Sequence, residues 1–329
     1  MFARKKRSLS NCRNKMKLLV GLLLCCCIAA VSAGPTLDSA NALYSNGKLL
    51  ESTVMYKKAL AAGENPVLCY FNCANALFQL DSLSRALVFY RQCINMAPDF
   101  VKARLNCAII YYMLGDLGRC IAASKATLRL EPDNQKMRLV LAAAYQKSGA
   151  IPEAVVEFEY LAEKHPEMTE TYLALGEIYR TLNDYESAVK WLGDYPPIGP
   201  NYPYVLLLIA DIYDQANDLP RSLFYLNKSF KLDGKNKSTF YRIVETQKRM
   251  GNDLVALETA LEGIRLFPNF ADLAIEAGNI AFNRGKLEEA EFCYSKAYAL
   301  GSPSAVVGLE NVKIVRTQKA LGAGDGQGE

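Results

Sequence analysis

His165 is the only histidine in the 329-residue chain, and that alone narrows the chemistry it could perform. A Ser–His–Asp or Cys–His centre needs an imidazole held beside its nucleophile. His165 instead adjoins Pro166 in a segment that reads as a turn. Asp211, Asp214 and Asp218 resemble a metal-binding group only until they are placed on a helix and its following turn, where such carboxylates form a solvated face. The segments GKLLES (Gly47–Ser52) and GKLEEA (Gly285–Ala290) carry a Gly-Lys pair, but no Gly-rich loop ends in the Lys-Ser or Lys-Thr that would cradle a phosphate. Cys69 and Cys73 lie one helical turn apart without the further ligand cluster that a zinc or redox site requires. No catalytic residue, cofactor or metal is therefore expected, and the chain reads as something other than an enzyme.

The residues without chemistry carry the organisation. From Val101 to Asn134, Ala108 sits mid-helix, Gly115 punctuates, Cys120 supplies a second small site and Pro132 closes the unit. In steps of 34 residues the first small site returns at Ala40, Ala74, Ala142, Gly176, Ala210, Val244 and Gly278, and the second at Ser52, Ala86, Ala154, Ala188, Ser222, Ala256 and Ala290. The turn residue returns as Gly47, Asp81, Gly149, Asn183, Asn217, Gly251 and Gly285, so eight units fit without insertion or deletion. Two antiparallel helices approach closely only where neither presents bulk, which explains one small residue per helix. Tyr111, Tyr145, Tyr179 and Tyr213, with Tyr56, Tyr90, Phe158 and Tyr294, are the larger groups expected to fill the space around them. Each helix, of about 12 to 14 residues, is marginal alone, so stability must come from stacking.

In this order of small, aromatic, turn, small, aromatic and proline residues, the chain resembles the tetratricopeptide repeat family from about Ala33 to Pro303. The resemblance implies an all-α, right-handed superhelical solenoid of eight 34-residue helix–turn–helix repeats, in which first helices line a concave groove that holds a protein or peptide partner. The seventh unit departs most, with Val244, Gln247 and Ala260 at small or aromatic positions; Phe240 and Tyr241 are candidates for the missing bulk. YPPIGPNYPY (Tyr195–Tyr204) should end the fifth second helix early, because proline removes a donor and clashes with the preceding turn. The family's carboxylate clamp is matched only in part: Asn41, Asn72 and Lys102 fall on its two asparagines and one lysine, while Leu37 and Asn106 stand where it has a lysine and an arginine. The asparagines are accordingly expected as backbone binders or helix-surface residues.

Residues 1–33 hold seven basic residues, no acidic one, and an apolar run from Leu18 to Val31 followed by Val-Ser-Ala. This is the pattern of a secretory signal peptide, with cleavage expected before Gly34, and the run is short for a membrane span. The sequence leaves open a start at Met1 or Met16, and lipid anchoring at Cys25, Cys26 or Cys27 is the alternative to soluble export. Seven of the 38 basic residues and none of the 34 acidic ones belong to this leader, so the remainder is about −3 and no nucleic-acid partner is expected. Six of the ten cysteines lie beyond it, and those at repeat positions read as buried packing thiols, with a disulfide as the alternative. Residues 34–304 are expected to form one repeat array and 305–321 a capping helix with Glu310, Lys313, Arg316 and Lys319 on its polar face. The glycine-rich end, 322–329, is expected to be a disordered tail.

By register, the amino-terminal half of the groove offers Asn41, Tyr44, Phe71, Asn75, Phe78, Lys102, Ile109 and Tyr112 as aromatic anchors and amide donors. Tyr44, Phe78 and Tyr112 recur at 34 residues, so packing against the next repeat is the competing reading of the rings. The middle of the array offers a charged lining of Glu177, Arg180, Asp211, Asp214, Glu245, Lys248 and Arg249. The expectation is an exported scaffold of a bacterial envelope. The alternatives are a holder of exported chains and the non-catalytic arm of a cell-wall enzyme complex.

Overall fold

The computed structural model describes residues 34–196 and 201–324; the leader and its cleavage site before Gly34 fall at or outside that boundary, as do the last five residues. Seventeen helices and no strand occur among the described residues. Sixteen form eight hairpins: α1 (Pro35–Ser45) with α2 (Leu49–Ala61), α3 (Pro66–Gln79) with α4 (Leu83–Met96), α5 (Val101–Leu114) with α6 (Leu117–Leu128), and α7 (Gln135–Ser148) with α8 (Ile151–Lys164). Then follow α9 (Thr169–Thr181) with α10 (Tyr185–Gly193), α11 (Tyr202–Gln215) with α12 (Leu219–Leu232), α13 (Lys237–Arg249) with α14 (Asp253–Leu266), and α15 (Ala271–Asn283) with α16 (Leu287–Ala299). The last helix, α17 (Ser304–Gly324), packs on α16 and α15 and runs three residues into the segment expected to be tail.

The repeat residues explain the hairpins. Gly47, Asp81, Gly115, Gly149, Asn183, Asn217, Gly251 and Gly285 all take the left-handed conformation, with φ between 55° and 86°. Glycine adopts it without a Cβ penalty, and Asp and Asn tolerate it best among the others. After each, the next amide reaches back five residues, as in Asp116 N–H to the Tyr111 carbonyl at 2.9 Å, closing the first helix in a Schellman turn. The Asn65, Asp116, Asn134, Asp184, Asp218 and Asn236 side chains cap the helices that follow them. All sixteen small-site residues are buried. At Gly176 and Gly278 even a methyl group is excluded: a Cβ would stand 2.4 Å from Leu192 and 2.6 Å from Tyr294.

The chain divides into two compact units, Met1–Thr171 and Tyr172–Glu329. In the first, Tyr56, Phe71, Tyr90, Ile110, Met137 and Leu161 are among the largest enclosed side chains. In the second, Phe240, Leu257, Leu273, Tyr294 and Val312 anchor a continuous cluster. Phe240 supplies the bulk missing from the seventh repeat, packing on Phe230 and Phe267 and lying where a Cβ at Gly263 would sit only 2.3 Å from its ring. The fifth second helix, α10, is short at nine residues, as the prolines dictate, and Tyr195 beyond it turns inward onto Tyr172. Among the described residues no helix is long and apolar enough to cross a membrane.

Candidate partner-binding face

The eight residues read as a groove lining separate into two depths. Phe71, Asn75, Phe78, Ile109 and Tyr112 are buried, at 8% exposure or less. Phe71 packs edge-on against Phe100 and tilted against Tyr90, inside the helix stack rather than on its face. Asn41 and Tyr44 are half-buried and Lys102 is exposed. Register identifies side chains that share a row, but adjacent first helices lie close enough to enclose most of this one.

The asparagines are bonded to one another and to tyrosines. Asn41 Oδ1 accepts from Tyr56 Oη at 2.9 Å and from Asn72 Nδ2 at 3.1 Å. One repeat later Asn75 Oδ1 accepts from Tyr90 Oη at 2.5 Å and from Asn106 Nδ2 at 3.3 Å, and Asn106 also donates to Tyr90 Oη at 2.9 Å. The expectation that these amides lie free on the helix surface is corrected for Asn72, Asn75 and Asn106. They are buried, and each amide joins a first helix to the second helix of its own repeat or to the next first helix. The eighth repeat carries the same bond between Tyr294 Oη and Asn279 Oδ1 at 2.9 Å.

The sequence holds the signal for this ladder. Where the position of Asn41 is asparagine (Asn41, Asn75, Asn279), the position of Tyr56 is tyrosine (Tyr56, Tyr90, Tyr294). Where it is Ile109, Ala143, Glu177, Asp211 or Glu245, the phenol is absent, replaced by Ser124, Phe158, Leu192, Leu226 or Ala260. A phenol is kept where an amide awaits it, as an unmet buried donor or acceptor would cost about 1–3 kcal/mol.

In the fifth to seventh repeats the same slots hold charges. Arg242 pairs with Asp211 across the 31-residue step that joins Asn72 to Asn41. Arg249 pairs with Asp214 across the 35-residue step that joins Gln79 to Tyr44 and Lys147 to the Tyr112 carbonyl. Lys248 reaches the largely buried Glu276 at 2.6 Å, and Arg180 forks onto Glu177. Partial desolvation between neighbouring helices lifts the Asp211 carboxyl above its ordinary range despite Arg242 and Arg180 nearby.

Away from this face, His165 Nδ1 lies 2.7 Å from the Gln135 amide in the turn after α8. Asp218 caps α12 and pairs with Arg221, apart from the role of Asp211 and Asp214. Among the described residues no group of three His, Cys, Asp or Glu side chains is arranged to hold a metal ion. The six described cysteines are buried free thiols, burial pushing them up to about 11 at Cys69, Cys73 and Cys120 and about 12 at Cys93, Cys107 and Cys293.

Comparison with known proteins places this geometry. Two tetratricopeptide repeat family models match, one over residues 147–212 and one over 68–100. No curated protein matches the chain. Among solved structures, the C-terminal part of a TPR repeat-containing protein from Cytophaga hutchinsonii aligns with a TM-score of 0.60 at 14% identity, covering 73% of this chain and 99% of that one. A tetratricopeptide repeat protein from Parabacteroides merdae aligns at 0.49 with 16% identity, over 75% of this chain and 99% of that one. Residues 68–100 and 147–212 thus match tetratricopeptide repeat models, and the other hairpins among the described residues follow the same helical plan.

Proposed function

We propose that the chain is an exported scaffold of a bacterial cell envelope that performs no chemistry of its own and holds a protein or peptide segment across its first helices. The observation that carries this reading is that polar pairs recur at one register of neighbouring first helices within each unit, Tyr44–Gln79 and Tyr112–Lys147 in the first and Asp214–Arg249 in the second. Gln79, Lys147 and Arg249 are exposed, so a partner's backbone or carboxylates can meet them directly. In the amino-terminal unit Asn41, Tyr44 and Lys102 are the reachable contacts. Phe71, Asn75, Phe78, Ile109 and Tyr112 form the rigid floor beneath them, and a preorganised floor lowers the ordering cost of binding.

Affinity capture from an envelope fraction, comparing the unsubstituted chain with Lys102→Glu and Arg249→Glu, tests the reading. Each reversal should weaken recovery of a partner by about tenfold, near 1.4 kcal/mol, the Lys102 variant without changing the melting temperature and the Arg249 variant with a small fall, because it also breaks the tie to Asp214. Recovery unaffected by both would remove the first-helix face as the binding surface.

A further inference from the structure

Helix α17 is the last of the described helices and occupies the register of a first helix. Val307, Asn311 and Ile314 lie one repeat step beyond Leu273, Ala277 and Ile280, which are 0%, 0% and 2% exposed. Two steps back, Thr239, Ile243 and Thr246 are buried as well, and three steps back so are Val205, Ile209 and Ile212. On α17, Val307 is 58% and Ile314 53% exposed, and Asn311 is exposed between them. The opposite side is fixed: Ala305 and Val312 are buried, and a Cβ at Gly308 would meet the Tyr294 ring at 2.6 Å. The open strip thus has the register of a surface that an adjoining helix covers in the preceding repeats. Glu310, Lys313, Arg316 and Lys319, expected on the polar face of this helix, are exposed, and Val307 and Ile314 are exposed beside them.

We propose that this strip is covered by α17 of a second copy of the chain, in an antiparallel pair about a two-fold axis near Asn311. A symmetric interface must be complementary to itself. Val307 and Ile314 are disposed about residues 310–311, and Glu310 and Lys313 about residues 311–312, so an axis at Asn311 serves both sets to within one residue, about 1.5 Å of helical rise. It sets Val307 of one copy beside Ile314 of the other, and Glu310 across from Lys313 on the same flank. Asn311 sits at the centre, where a paired amide fixes register.

Sedimentation velocity of the full chain over a range of concentrations should show a reversible dimer. Val307→Glu and Ile314→Glu should each weaken it by about tenfold or more, with the helical signal and melting temperature retained. Asn311→Cys should yield a covalent dimer on mild oxidation, traced by mass spectrometry to a peptide linking position 311 of both copies, while Glu258→Cys on the exposed side of α14 should not. A monomer at every concentration overturns the proposal. So does a dimer indifferent to both glutamates, or the absence of a link at position 311. If the glutamate variants melt early, the position-311 link in the otherwise unchanged chain decides alone.

Discussion

Matched first-helix slots five repeats apart, one in each unit, are alike in spacing and opposite in chemistry. Asn41 and Asn72 occupy the positions that Asp211 and Arg242 occupy five repeats later, and Tyr44 and Gln79 those of Asp214 and Arg249. A repeat geometry therefore prescribes that neighbouring first helices be tied at these points, while leaving the tie neutral or ionic. Neutral ties suit the buried end of the slot, because an amide leaves water at far less cost than a charge. Ionic ties persist where water still reaches: Asp211 and Arg242 retain 42% and 30% exposure.

The largest effect expected from this contrast is at Asn75. Asn75→Ala removes the acceptor of both Tyr90 and Asn106 in a buried network and should cost about 2–3 kcal/mol. Thermal melts should show that loss equally in low and high salt. A strong salt dependence would mean that the amide ladder is not the neutral tie described here. A double-mutant cycle on Asp211→Asn and Arg242→Gln should give a coupling of under about 1 kcal/mol that fades with added salt, since the pair is partly solvated. Coupling above that, persisting in salt, would make the two kinds of tie equivalent.

The finest distinction is in acid. Glu64 accepts from the Thr36 and Leu37 amides at 3.1 and 2.7 Å, tying the start of α1 to the turn before α3. Desolvation opposes its ionisation, but the backbone bonds outweigh it and hold the carboxyl below its usual value. Its contribution is present at neutral pH and lost as pH falls from the ordinary glutamate value, about 4.3, through the lowered folded one. Asp211 behaves oppositely. Its folded value is raised, so the native state binds a proton first and gains stability as pH falls through that value toward the ordinary one, about 3.9. Glu64→Gln and Asp211→Asn should therefore shift the acid limb of the stability curve in opposite senses, and shifts of the same sign would refute the assignment.

Much of the architecture was legible in residue types because the constraints that set it are steric and local. A left-handed turn admits few residues, and a close helix contact admits only small ones, so Gly115 and Ala108 announce their places at once. Depth was harder to read. Phe78 and Tyr112 recur as a binding row would, and nothing in a 34-residue spacing says how far neighbouring first helices close over that row. The amide ladder was visible only as a correlation between two columns, asparagine with tyrosine, which a search for chemically reactive clusters passes over. Helix α17 shows the converse: its sequence marks it as a cap with a polar face, and only the structure shows that Val307 and Ile314 stand exposed on it.

The buried thiols have one further use. A thiol raised to about 11 or 12 and shut from solvent reacts with an alkylating reagent only when its surroundings open, so its labelling rate measures that opening directly. Cys69 and Cys73 lie on α3, Cys93 on α4, Cys107 on α5, Cys120 on α6 and Cys293 on α16. The chain thus carries its own set of clocks, five in the second and third repeats and one in the eighth, through which the fraying of individual hairpins can be timed without adding a probe.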